Sequence, residues 1–277
     1  MNWFCSALAF GDFLIDCSFM RYAGCENAIL AASYLKPLAS ALDFQGNIKY
    51  FDMPNTDIPP SLFNARRAKV PAMIRSLYLL RDGIKNSVSR DDTIYVPLKD
   101  LRWQLACLPY LPRSLRTREE NIYLAYCSHF GLDAESFVAR LESKPSTVLV
   151  FPDSRQVHRQ IPDRIISIIL QANADLGIKS LIVRVRPPDS AYVKHENEIS
   201  IWGLPALVDL IRNAEAVVSA DSLPAHLATY FMNPLFIITP TINASMPQMP
   251  PSVLKLQNWD GFTDLGRYKK WIALYHA

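Results

Sequence analysis

The chain has 277 residues, half of them hydrophobic and 20% charged, with a formal net charge of +3 and a sequence pI near 8.5. That length accommodates two domains of ordinary size, and the balance excludes extensive disorder. The charge is too mild for a nucleic-acid-binding protein, and no uncharged apolar run approaches the roughly 20 residues that a bilayer span demands.

From the start, NWFCSAL reads as a first strand that enters a loop at Ala9-Phe10-Gly11-Asp12, with an apolar helix after it. The opening MNWFCSALAF has no basic residue before its apolar stretch, and Asp12 and Asp16 interrupt it, so it reads as part of the fold and not as a signal peptide. After Gly24 the stretch NAILAASYLKPLASAL has helical spacing, IKYF reads as a strand, and Pro59-Pro60 mark a loop. VPAMIRSLYLLRDGI reads as a helix and DTIYVPL as a strand. LPRSLRTREENIYLAYCSHFGLD begins basic and becomes a helix stopped at Gly131, where a left-handed cap suits glycine. The short polar ESKPS, residues 142–146, marks the boundary between a first domain, 1–144, and a second, 145–277, whose last helix is free to pack back on the first.

The second half is more regular. TVLVF is a strand, IPDRIISIILQANADLG a helix stopped by Gly177, and SLIVRVR a strand before a proline-rich loop. A short strand, EISIW, precedes the helix PALVDLIRNA. The strand AVVSA, the helix in DSLPAHLATY and the strand LFIITP complete the series. Alternating strands and helices imply βαβ units and a parallel sheet covered on both faces. The five cysteines, Cys5, Cys17, Cys25, Cys107 and Cys127, are odd in number and form no C-x-x-C pair, as buried free thiols of a reducing cytosol would be.

Several chemistries drop out. No G-x-G-x-x-G, no G-x-x-x-x-G-K-[ST] and no G-x-S-x-G is present, and His129, His158, His195, His226 and His276 lack metal-ligand spacing. What remains lies just past strand ends, where open α/β sheets hold ligands: Gly11-Asp12, Asp153 to Arg159, and Asp221 to His226. The last of these opens a helix, whose first N–H groups and positive dipole end suit a phosphate.

Together FGDFL, FPDSRQVHRQIP (residues 151–162) and DSLPAHLA (residues 221–228), followed by a strand ending in Pro240-Thr241, resemble the motifs of the bacterial heptosyltransferase-like glycosyltransferases, family nine. The resemblance covers most of residues 147–241 and a short piece of the first half. It implies a GT-B fold: two Rossmann-like domains with parallel sheets facing across a cleft. It also implies an inverting transfer of a sugar from a nucleotide-sugar donor to a glycan or lipid-linked glycan acceptor, such as lipopolysaccharide core or O-antigen. Asp12 stands at the position of the family's base. Ser154, Arg159, Asp221, Ser222, His226 and Thr241 match its donor site, with the amides of Ser222, Leu223 and Ala225 beside the phosphates.

Gly11, Arg66 and Arg67 are the acceptor-side candidates, in a basic cluster with Lys69, Arg113, Arg116 and Arg118. The implied protein needs no metal or other cofactor, binds no nucleic acid, and is cytoplasmic with a surface able to meet the inner membrane. Two departures stand out: Leu223 replaces a glycine, and Asp153 adds a negative charge where a small neutral residue is usual. Plainer roles remain open, with Asp12 a helix cap, Arg159 a solvated surface residue and His226 a packed histidine. Two other functions remain open too, a catalytically silent nucleotide-sugar-binding or scaffold protein and a sugar-nucleotide epimerase.

Overall fold

The computed structural model describes residues 1–6, 10–22, 26–53, 70–96, 105–110, 112–114, 121–134, 143–154, 157–186, 196–240, 253–255 and 266–273. Two compact units divide the chain, Met1–Asp133 and Ala134–Ala277.

In the first unit, β1 (Asn2–Ser6) pairs in parallel with β2 (Asn27–Ala32) on one side and β4 (Thr93–Val96) on the other. Outside these lie β3 (Ile48–Phe51) and the two-residue β5 (Arg113–Ser114), giving the order β3-β2-β1-β4-β5. The longer helices among the described residues of this unit are α1 (Phe10–Met20), α2 (Lys36–Leu42), α3 (Val70–Ser87) and α4 (Ile122–Phe130). Phe4 of β1 stacks on Tyr95 of β4 and meets Tyr126 and Phe130 of α4, so aromatic packing ties this helix to the sheet. Gly131 caps α4 with φ 65°, as its place in the sequence predicts.

Two expectations change here. Asn27–Ala32 is a strand, not the start of a helix; the helix begins only at Lys36, with Pro37 in its first turn. Ala28 to Ala32 are all buried, and a strand covered on both faces shows no alternation to separate it from a helix. Phe10, Gly11 and Asp12 are already helical and form the first turn of α1 instead of a loop before it.

The second unit holds β6 (Thr147–Phe151), β7 (Lys179–Val185), β8 (Glu198–Ile201), β9 (Ala216–Ser219), β10 (Leu235–Thr239) and β11 (Val253–Lys255). All pair in parallel in the order β11-β10-β9-β6-β7-β8. Counted from β6, this is the Rossmann order 3-2-1-4-5-6 read from the other edge. The helices are α5 (Asp163–Asp175), α6 (Leu204–Arg212), α7 (Leu223–Tyr230) and α8 (Gly266–Ala273).

Val148, Val150, Ile165, Ile169, Val218 and Phe236 build the core between this sheet and its helices. The final helix, expected to be free to reach back to the first domain, contributes Tyr268, Trp271 and Ile272 to the core of its own unit. Tyr268 packs edge-on against Phe236, and its hydroxyl donates to Asn173 Oδ1 at 2.7 Å. Among the described residues no helix is long and apolar enough to cross a membrane, and Cys5, Cys17, Cys107 and Cys127 are free and buried.

Candidate functional site

In the second unit the chain leaves β6 toward β7 on one side, while β9 lies on the other, so the β6/β9 boundary is the topological switch point where open sheets leave a crevice. The segment after β6 and the segment after β9 meet there. The Ser154 hydroxyl donates to the Asp221 carbonyl at 3.5 Å. Arg159, brought in by a single 3-10 turn (Val157–Arg159), donates from one guanidinium nitrogen to the Asp221 carboxylate at 2.9 Å. That pair is partly sheltered, with 24% of the Arg159 side chain and 5% of the Asp221 side chain exposed. Arg159 Nε is buried with no hydrogen-bond partner among the described residues, so one N–H remains unspent.

His226, in the first turns of α7, is buried beside the same pair. Burial pushes its imidazole down to about 4, the nearby Asp221 charge opposes this, and Arg159 adds to it. At neutral pH the ring is therefore uncharged and offers one N–H and one acceptor.

Ser222 occupies the N-cap position of α7 in extended backbone, yet its hydroxyl does not cap the helix. It donates instead to the Ala220 carbonyl at 3.3 Å and lies 3.5 Å from the Ser219 hydroxyl. The amides of Ser222 and Leu223 make no hydrogen bond among the described residues. The Ala225 amide, expected to face a phosphate, is spent on the Ser222 carbonyl at 3.1 Å, as the helix's own first bond. Leu223 is the first helical residue and half-buried.

Five of the candidate donor-site residues, Ser154, Arg159, Asp221, Ser222 and His226, thus form one constellation. Thr241, Arg66 and Arg67 lie outside the described residues. Gly11 and Asp12 belong to the first unit, half-buried in the first turn of α1, where an acidic residue complements the helix's positive end.

Sequence reasoning passed over two features. Asp16, one turn after Asp12, is buried and accepts a very short hydrogen bond from the Tyr126 hydroxyl. Burial pushes its carboxyl up to about 7, which Tyr126 partly offsets and the Asp12 charge reinforces. An acid in the middle of an otherwise apolar helix, past the first turn that Asp12 occupies, is the available signal.

The second feature is the partner of Asp153. Arg184, near the end of β7, donates to its carboxylate at 2.5 Å and also reaches Asp163 at 3.3 Å and Glu198 at 3.6 Å. The charge that Asp153 adds is therefore compensated within the fold. The alternation Arg184-Val185-Arg186 was its only trace in the sequence.

No family profile matches the sequence, and no characterised protein matches it by sequence. Solved structures do. The E. coli heptosyltransferase WaaC with ADP superimposes with a TM-score of 0.58 at 11% identity, over 97% of this chain and 99% of that one. The E. coli ADP-heptose lipopolysaccharide heptosyltransferase II gives 0.55 at 15% identity, over 100% and 99%. A family 9 glycosyltransferase from Veillonella parvula gives 0.57 at 13%, over 92% and 86%. The chain therefore has the two-domain α/β fold, GT-B, of the heptosyltransferases and of glycosyltransferase family 9.

Proposed function

We propose that the protein is an inverting glycosyltransferase that moves a sugar from a nucleoside-diphosphate donor to a bacterial surface glycan, in lipopolysaccharide core or O-antigen. The gathering of Ser154, Arg159, Asp221, Ser222 and His226 at one switch point carries this reading, on a fold shared with E. coli transferases described with ADP and ADP-heptose. In the reaction an acceptor hydroxyl attacks the anomeric carbon, its proton passes to the Asp12 carboxylate, and the bond from that carbon to the phosphate oxygen breaks. The leaving diphosphate gains negative charge. The Arg159 guanidinium, the Ser222 hydroxyl and the amides of Ser222 and Leu223 receive it, strengthening as charge develops. Neutral His226 donates one further hydrogen bond. No step requires a metal.

Calorimetric titration with ADP, UDP, GDP and CMP tests the donor half. At least one diphosphate is expected to bind, Arg159→Ala to weaken it by about tenfold or more, and Asp12→Asn to leave affinity unchanged while abolishing transfer. If every nucleotide fails to bind, or Arg159→Ala binds normally, the donor site is wrong. Binding without transfer or donor turnover makes the protein a nucleotide-sugar-binding protein, and an isomerised donor makes it an epimerase.

The acceptor side is supported by α3. Its outer face exposes Ile74 and Tyr78 together with Arg75, Arg81 and Lys85, against a single acid, Asp82. Apolar and aromatic groups among cations suit an anionic membrane surface or a phosphorylated lipid-linked acceptor. Sedimentation with vesicles should show binding to anionic but not zwitterionic lipid, lost in Arg81→Glu/Lys85→Glu. Equal binding to both lipids, or none, removes this role.

A further inference from the structure

A pocket of about 650 Å³ opens beside the switch point, at the carboxyl ends of β6 and β7, lined by Asp153, His158, Gln160, Asp163, Arg184 and Arg186 among others. That volume lies within the ~300–1,000 Å³ range of small-molecule sites. Its two arginines invite reading it as a second anion site, but the ion pairs decide otherwise. Arg184 meets Asp153, Asp163 and Glu198, while Arg186 meets Glu198 at 2.8 Å. Among the described residues two guanidiniums face three carboxylates, so the arginines' charges are already met and leave little attraction for a further phosphate.

What the pocket offers instead is acceptor capacity. Asp153 spends Oδ1 on Arg184, Oδ2 makes no hydrogen bond among the described residues, and the side chain is 38% exposed where it lines the pocket. A carboxylate held still by an arginine, with free lone pairs, suits a pair of neighbouring hydroxyl donors. Its place matters as much. Asp153 is the chain neighbour of Ser154, whose hydroxyl already touches the Asp221 carbonyl at the proposed phosphate site. In a nucleotide the ribose lies one ester linkage from its phosphate.

We propose that this pocket takes the nucleoside half of the donor, with Asp153, positioned by Arg184, accepting hydrogen bonds from the ribose 2′ and 3′ hydroxyls. The proposal rests on the donor site described above and adds to it the part of the ligand that Asp153 selects. The acid that departs from the related motif is then a specificity residue for ribonucleotides and not an obstruction.

The experiment is calorimetric titration of the full chain with the diphosphate that binds best among ADP, UDP and GDP, its 2′-deoxy and 2′,3′-dideoxy counterparts, and inorganic pyrophosphate. Wild type is expected to bind the ribonucleotide about tenfold or more tightly than the dideoxy form. Asp153→Ala is expected to bind both alike while holding pyrophosphate within about twofold of wild type. The wild-type comparison needs no variant to fold. Equal affinity of wild type for ribo and dideoxy forms overturns the proposal, as does discrimination that survives in Asp153→Ala. A protein that binds pyrophosphate as tightly as any nucleotide also overturns it, leaving the phosphate site standing. If neither pyrophosphate nor any nucleotide binds, the transferase reading falls and the ribose site falls with it.

Discussion

Asp16 shows how far a single side chain can depart from its sequence neighbourhood. Its carboxyl is held at about 7 in the fold, whereas an unfolded aspartate sits near 3.9. Between those values the folded protein keeps a proton that the unfolded chain has lost, so stability falls by up to roughly 1.4 kcal/mol per pH unit as pH rises through the window. The contribution is fully present below pH ~4 and gone above pH ~7. Asp16→Asn keeps an oxygen to accept from Tyr126 but removes the titration. Urea unfolding at about pH 5, 6 and 8 should show the variant gaining on wild type as pH rises, and parallel curves would mean that Asp16 is ionised in the fold. The acid itself was legible in the sequence; its protonation follows from α4 closing over it, a contact spanning 110 positions. Asp153 teaches the same lesson, since only the parallel pairing of β6 with β7 brings Arg184 to it.

At the scale of elements, caps and breakers were the most readable signals. Gly131 and Gly177 end their helices with positive φ, and Pro224 sits in the first turn of α7. The sequence of β2 points to a helix because Ala and Leu suit one, while burial on both faces makes it a strand. The start of α7 supplies a sharper test. Leu223 has ordinary helical backbone, so a glycine there is required by no dihedral angle and matters only through the room it leaves beside the Ser222 and Leu223 amides. Side chains lean toward a helix's N-terminus, over those amides. Leu223→Gly is therefore expected to tighten diphosphate binding severalfold while lowering stability by at most about 1 kcal/mol. Titration and unfolding of the same variant check both, and unchanged affinity would show that the leucine already leans clear.

For the whole molecule, the alternation of strands and helices makes the parallel architecture legible, most clearly in the second half, where β6, β9 and β10 are compact apolar runs, while the three-residue β11 is too short to stand out. The strand order is not legible, because adjacency is a property of crossovers and not of any local stretch. The order also explains why residues as distant in sequence as Ser154 and Asp221 share one site, since β6 and β9 are neighbours although α5, β7, β8 and α6 lie between them along the chain.

The pairing of Arg159 with Asp221 has a kinetic side. A guanidinium that already holds its own carboxylate projects little field into solvent, and a net charge of +3 spread over 277 residues adds little more. Electrostatic steering is then weak. Stopped-flow association of a nucleoside diphosphate is expected to change by less than about threefold between low and high salt, where a strongly steered encounter slows far more. A steep salt dependence would show the arginine to be effectively uncompensated. With arrival rates nearly alike for all anions, selection passes to residence time: a free phosphate that cannot draw Arg159 from its carboxylate departs quickly, while a ligand anchored at its other end stays long enough to exchange partners with it.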